Sequence, residues 1–266
     1  MNATLVHEFL SSLEDRAGDR RTLERVRVCL EMLGRPDVRY LVATIRGNGS
    51  TTVARYARGV LQAAGAPTAD LTDPLADVDL ERAGTQVASA VYQLGIVRPE
   101  LGELSRREAG TLIALTAAAE ASFRVMLLVD EDADPQAPLL AVAGDLVVLV
   151  RMDVERIGAA IAEVPDRRPL LVGRVGDAAA ARAEEAALAR ELPLVLGGRD
   201  FEVQIGAAGM DLRVAGERYP ALAIGPGDDP ELAATGIVAA LGIGTLGVRM
   251  RPDWVELGAR AAAGRQ

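Results

Sequence analysis

The chain has 266 residues, half of them hydrophobic and a quarter charged, which is enough to bury a sizeable core. All 29 basic groups are arginine, and against 38 acidic groups they leave a formal net charge of −9, which excludes nucleic-acid binding by phosphate neutralisation. A single cysteine, a single histidine and no lysine exclude an internal disulfide, a Cys/His zinc site, Schiff-base chemistry and a lysine grip on phosphate.

Apolar residues at Leu5, Phe9 and Leu13, then at Leu23, Val26, Leu30 and Leu33, predict two helices between Leu5 and Leu33 with a break at Ala17-Gly18-Asp19. Gly34 and Pro36 end the second. A strand from Tyr40 to Ile45 leads into the glycine turn Arg46-Gly47-Asn48-Gly49, and a helix opens at Ser50-Thr51-Thr52 and runs to about Ala64. Strand, glycine loop and helix form the context in which backbone N–H groups cradle a phosphate. The plainer reading, a turn whose helix is capped by Ser50, is favoured.

Two helices are expected over Val78–Leu94 and Ser105–Ser122, then a strand from Phe123 to Val129 ending in the acidic turn Asp130–Pro135. Strands at Leu146–Val150, Pro169–Val172 and Leu194–Leu196 alternate with helices at Ile157–Val164 and Asp177–Glu191. That alternation predicts an α/β fold, a mostly parallel sheet flanked by helices. Phe201–Ile205 and Met210–Val214 then alternate polar and apolar residues, as an antiparallel hairpin at the sheet edge does. A last helix pair covers Pro230–Leu241 and Pro252–Ala262.

Several stretches in this order carry a resemblance. They are FLSSLEDRAGDRRTLERVRVCLEMLGRPD, VATIRGNGSTT, GAPTADLTDP at Gly65–Pro74, Gly198-Arg199-Asp200-Phe201, and YPALAIGPGDDPELAATGIVAAL. Together they resemble the ATP-binding part of folylpolyglutamate synthase/dihydrofolate synthase, within the Mur ligase superfamily. The resemblance implies a Mur-ligase-like central domain spanning 1–266, with a helical lead-in at 1–37 and an edge hairpin at 198–220. It stops where that family begins its C-terminal ligase domain, which is expected to be absent.

The departures from the family pattern have chemical meaning. Asn48 stands where the family has its phosphate-binding Lys, and Thr44, Ile45 and Arg46 stand at its first Gly, its Thr and its Asn. Arg46, Gly47, Asn48, Gly49, Ser50 and Thr51 therefore read as a remnant phosphate loop. The acids Asp130, Glu131, Asp132 and Asp134 replace a glycine-rich loop, and a solvated acidic turn is favoured over a cation site. Asp153 keeps the family's Asp, while Val154 or Glu155 stands at its metal-binding His. The segment AIAEVPDRRP lacks the Lys that the family carbamylates. Asp229, Pro230 and Ala233 replace the H-Q-x-x-N residues of the adenine site.

The expectation is a non-catalytic, degenerate relative that acts by binding, with no catalytic residue, no metal and no cofactor. The alternative is an ATP-dependent carboxylate–amine ligase working through an acyl phosphate, which would need ATP and Mg²⁺. Expected partners are a protein or a second copy of the chain, and a small anion at the remnant loop; nucleic acid and membrane are not expected. No long uncharged apolar stretch and no basic leader are visible, so a cytoplasmic location is expected. His7, Cys29 and the Arg167-Arg168 pair read as structural or solvated side chains.

Overall fold

Most element boundaries follow the local signals just described. The computed structural model describes residues 3–70, 80–121, 123–142, 144–248 and 250–264. Residues 71–74 of the GAPTADLTDP stretch, the expected helix start at Val78, Ser122 and the last two residues lie outside the described residues. Contacts group the chain into two compact units, where the sequence reads as one domain. One unit draws on Met1–Tyr40, Ala69–Met126 and Asp134–Ala143, the other on Leu41–Thr68, Leu127–Ala133 and Gly144–Gln266.

The first unit is helical. Helices α1 (Ala3–Ser12), α2 (Thr22–Met32), α4 (Leu80–Val97) and α5 (Arg106–Glu120) pack on one another around Val26, Leu30, Val87, Leu94, Leu112 and Leu115, all 0–1% exposed. Helix α1 comes close to α4 because Gly84 has no side chain; a Cβ there would lie 2.6 Å from Val6 Cγ2. Cys29 is buried here, and burial, with Glu108 nearby, pushes its thiol up to about 12. It is a packing thiol, as its place on an apolar helix face predicts. His7 is exposed on α1.

A buried ion pair ties α2 to α5. Arg25 Nη2 lies 2.7 Å and Nε 3.0 Å from Glu108 Oε1, and both side chains are almost wholly buried. Arg25 also donates to the Leu101 carbonyl at 3.0 Å and to Asp19 at 3.1 Å. Glu108 has a second task. It is the third residue of α5, and its carboxylate accepts the Ser105 backbone N–H while the Ser105 hydroxyl accepts the Glu108 N–H, a reciprocal cap.

The second unit holds most of the parallel sheet. Strands β1 (Leu41–Arg46), β2 (Thr68–Asp70), β3 (Val125–Asp130), β4 (Leu146–Leu149), β5 (Leu170–Val172) and β6 (Leu194–Leu196) take the order 2-3-1-4-5-6. The ladder β1–β4–β5–β6 is parallel throughout, with Thr44 opposite Val147 and Leu149 opposite Val172. The residues of β1, β4 and β5 are nearly all buried, so these strands read as mostly apolar runs. Helices α3 (Ser50–Ala63), α6 (Val154–Ala162), α7 (Asp177–Ala189), α8 (Pro230–Gly247) and α9 (Pro252–Ala263) complete this unit.

Glycines let α8 and α9 lie tight against α3. A Cβ on Gly236 would sit 2.4 Å from the Val53 carbonyl oxygen, and one on Gly258 2.3 Å from Val60 Cα. Helix α8 runs six residues beyond the expected end at Leu241: Ile243 is still buried and a Cβ on Gly244 would meet Met250 Cγ at 2.6 Å, while Thr245 to Gly247 are exposed. By length and composition α8 could cross a membrane, but 56% of it is buried in the protein.

The expected edge hairpin is a separate three-stranded antiparallel sheet: β7 (Phe201–Gly206), β8 (Gly209–Val214) and β9 (Glu217–Leu222). Strand β9 escapes the sequence pattern because Pro220 interrupts it. As an edge strand it tolerates Pro, and the register shifts opposite Asp211, whose carboxylate accepts the Ala221 N–H at 2.9 Å. Strand β2 escapes because Thr68-Ala69-Asp70 carries no apolar run like those of β5 and β6.

Candidate functional site

In the strand order, β1 lies between β3 and β4. The chain leaves a parallel sheet at such a point through a loop that faces the crevice at the carboxyl ends of the strands. Residues Arg46 to Thr51 form that loop, so the fold puts the sequence-predicted residues where a ligand loop belongs. Gly47 (φ 109°) and Gly49 (φ 92°) take left-handed conformations. The first is sterically obligatory as well, since a Cβ would lie 2.0 Å from the Val150 carbonyl oxygen.

Arg46 does not face a ligand. It is 2% exposed, and its guanidinium lies 2.7 Å from Glu163 Oε2 and 3.5 Å from Asp130 Oδ2. Glu163 reaches it from the C-terminal end of α6. Asn48, at the position that matches the phosphate-binding lysine of the resembled family, is exposed and uncharged.

Ser50 does not cap its helix, contrary to the sequence reading. The cap residue is Gly49, which has no side chain to offer, and Ser50 is already helical. The capping carboxylate comes from the acidic turn. Glu131 Oε2 accepts the Gly49 N–H and Oε1 accepts the Thr51 N–H, each at 2.9 Å. Partial burial pushes the Glu131 carboxyl up, but the Thr51 hydroxyl and the amides of Thr51, Gly49 and Ser50 outweigh it and hold it below the ordinary range. One carboxylate thus spans the donors that open α3, where an anion is favoured by unpaired N–H groups and the helix dipole. The Ser50 hydroxyl is buried, with no hydrogen-bond partner among the described residues.

The other acids of the turn have separate tasks. Asp130 is buried against Arg46, and Asp134 pairs with Arg107 at 3.1 Å and accepts the Gln136 N–H. Among the described residues no group of three His, Cys, Asp or Glu side chains is placed to hold a metal. Asp153 caps α6, taking the Arg156 N–H at 2.8 Å. Asp229 caps α8, taking the Glu231 N–H at 2.8 Å, and also pairs with Arg151. Pro230 is the first residue of α8, and Ala233 is buried in it. The positions read as a replaced base site are therefore a capped helix start. From it Leu232 packs against the loop, since a Cβ on Gly49 would lie 2.5 Å from Leu232 Cδ1.

Sequence reasoning missed the open part of the crevice. At the carboxyl ends of β4 and β5 an open groove of about 500 Å³ is bounded by Arg151, Asp153, Gly176 and the Arg174–Glu231 ion pair (2.9 Å). On the other side of that pair lies a smaller cleft of about 180 Å³ against Phe201 and Gln204. Gly198 to Phe201 make the turn that frames it, with Asp200 accepting the Leu196 N–H at 2.8 Å. Arg174 has no motif around it, and Glu231 lies between Pro230 and Ala233 of the stretch matched to the base site, so only the strand order could have joined the two.

No sequence-family model matches the chain, and no curated protein matches it. Solved structures do. The folylpolyglutamate synthetase of Lactobacillus casei superposes with a TM-score of 0.80 at 19% identity, over 98% of this chain and 72% of that one. The fold is that of folylpolyglutamate synthase. The Mycobacterium tuberculosis enzyme, solved as a complex with ADP, gives 0.78 at 17% identity, and the Thermotoga maritima enzyme 0.79 at 17%; each match covers 97% of this chain and 65% of the other. This agrees with the resemblance read from the motif order. At these identities the likeness concerns the folylpolyglutamate synthase fold alone.

Proposed function

We propose that the chain is a non-catalytic protein on the folylpolyglutamate synthase fold, acting by binding and without ATP. The observation that carries this reading is the placement of Arg46. The chain has no lysine, and the one cation of the loop is turned into buried ion pairs with Asp130 and Glu163. Triphosphate chemistry needs positive charge delivered to the β- and γ-phosphates and a held Mg²⁺. Freeing Arg46 would break its ion pair with the buried Asp130, which costs several kcal/mol. The residues at the metal and base positions, Asp153 and Asp229, are engaged as helix caps. As they stand, these residues do not fit Mg-ATP, and they offer no group to carry a ligation step. The groove beside Arg151, Arg174 and Glu231 supplies a place for a small-molecule ligand, and a protein partner is the other form such binding takes.

The test is calorimetric titration of Mg-ATP into the chain, alongside an assay for ADP release with folate and glutamate. No heat of binding and no turnover are expected. Low-micromolar binding of Mg-ATP overturns the proposal in favour of a ligase. Asn48→Lys alone should not restore nucleotide binding, because the other groups stay committed.

A further inference from the structure

We propose that β7 is a docking edge for a second copy of the chain: two β7 strands pair antiparallel about a two-fold axis at Gln204 and join two three-stranded sheets into one. This pairing needs no nucleotide. Strand β7 lies at one edge of its sheet, with β8 as its neighbour. Gly206 faces Gly209 across the turn Ala207-Ala208, and the Phe201 carbonyl accepts the Gly198 N–H, away from β8. Alternation along the strand then turns the N–H and C=O groups of Val203 and Ile205 outwards, and those of Glu202, Gln204 and Gly206 towards β8. A cleft borders this edge at Phe201 to Gln204. Beyond the bridge between Gly197 and Phe201, no described strand pairs with it.

The two edges of the small sheet are guarded differently. Proteins block free edges with Pro, bulges or charge. Strand β9 has Pro220, a register shift and a left-handed Ala221 (φ 53°). Strand β7 has no Pro and no bulge; its one charge is Glu202, and Ile205 is 62% exposed. Such an edge offers its backbone donors and acceptors to another strand. Its own sequence selects the occupant. With the axis at Gln204, Val203 of each protomer exchanges a pair of backbone hydrogen bonds with Ile205 of its partner, through groups that face away from β8. The side chains agree with that register. Val203 meets the partner's Ile205 on the apolar face, Gln204 meets its own counterpart, and Glu202 meets the partner's Gly206, which has no side chain. Parallel pairing in register would instead set Glu202 against Glu202, like charges face to face. The edge is thus complementary to itself, as a two-fold contact requires. Pairing over so short an edge gives a small interface, and the dimer is transient and concentration dependent.

Sedimentation velocity on the full chain tests this. The mass should rise from one chain towards two between about 1 µM and about 1 mM, the range of a small transient interface. Gln204→Arg should weaken the dimer at least about tenfold, because like charges then face each other across the axis. Within its own sheet the substituted side chain stands opposite Asp211, which favours the fold. Val203→Pro should abolish the dimer by removing an outward N–H that β8 does not use. Gln204→Cys reads the register directly. Residues facing each other in a non-hydrogen-bonded antiparallel pair lie about 4.5 Å apart at Cα, within disulfide reach. With copper–phenanthroline as oxidant, the new thiols should join two chains. Glu202→Cys, facing Gly206 of the partner, should not cross-link, and the buried Cys29 does not compete. A one-chain mass that persists to about 1 mM overturns the proposal. So does a dimer that Gln204→Arg leaves intact, or equal cross-linking of Gln204→Cys and Glu202→Cys, because another surface would then hold the copies. ATP has no part in these measurements, so failure here leaves the non-catalytic reading standing.

Discussion

Two glutamates in this molecule cap the start of a helix, one in each unit, and they do it under opposite conditions. Glu108 caps α5 from within its own first turn, fully buried, while the same carboxylate neutralises Arg25. Glu131 caps α3 from another element, exposed to solvent, with the backbone N–H groups as its partners. The bond chemistry is alike; the energetics are not. A buried carboxylate beside a buried guanidinium cannot be removed without leaving a charge in a low dielectric. An exposed one that leaves is replaced by water or by another anion. The first arrangement fixes structure, and the second is replaceable.

The largest effect expected from breaking this contrast is at Glu108. Glu108→Gln should destabilise the chain by about 3 kcal/mol in urea unfolding, because Arg25 stays buried with only the half-exposed Asp19 to balance its charge. Labelling of Cys29 reports the same event, since its thiol is buried and held protonated; the variant should label faster under native conditions. Replacing both partners, as Arg25→Met with Glu108→Leu, should recover most of the loss, because two charges leave together. If the single and double variants are equally unstable, the ion pair is not what Glu108 contributes.

Ser105→Ala separates the two tasks of Glu108. It removes only the hydroxyl that accepts the Glu108 N–H and should cost about 1 kcal/mol. A loss as large as that of Glu108→Gln would mean that the cap, and not the charge, dominates in that unit.

How much of each arrangement the sequence discloses follows from the same contrast. Ser105 and Glu108 are three residues apart, and Ser-x-x-Glu before an apolar run is a local signature. Asp229 before Pro230, at the positions matched to the base site, is another. The strand, loop and helix at Leu41–Ala63 were legible because strand burial and helix period are local too. The loop's actual state was not. It depends on Glu131 meeting Gly49 and Thr51 across 82 and 80 residues, and on Glu163 meeting Arg46 across 117. An acidic turn and the C-terminal end of α6 give no local sign of such partners. The sequence reading therefore put Ser50 in the cap and Arg46 at the ligand, the two assignments that the fold reverses.

Glu131→Gln should cost only about 0.5–1 kcal/mol at neutral pH, since an exposed cap is partly replaced by water. Urea unfolding of the variant beside Ser105→Ala checks this. A loss of several kcal/mol would mean that Glu131 is as indispensable to α3 as Glu108 is to α5, and would remove the contrast.

The smallest effect, and the most diagnostic, is the pH dependence of that difference. The amides of α3 hold the folded Glu131 carboxyl below its ordinary value, while in the unfolded chain it titrates near that value, about 4.3. A group whose pKa is depressed by folding contributes its stabilisation fully above the unfolded value and loses it as pH falls through the folded one. The stability gap between wild type and Glu131→Gln should therefore stay level from about pH 8 to about pH 5 and shrink below that. Asp19 and Asp200 are also held low by their arginine partners and backbone donors, so the stability of either protein alone falls in acid for several reasons at once. Those contributions are common to both proteins and cancel in the difference. A gap that is unchanged at pH 3 would mean that the neutral carboxyl caps α3 as well as the charged one does. What Glu131 supplies to α3 would then be shape, not charge.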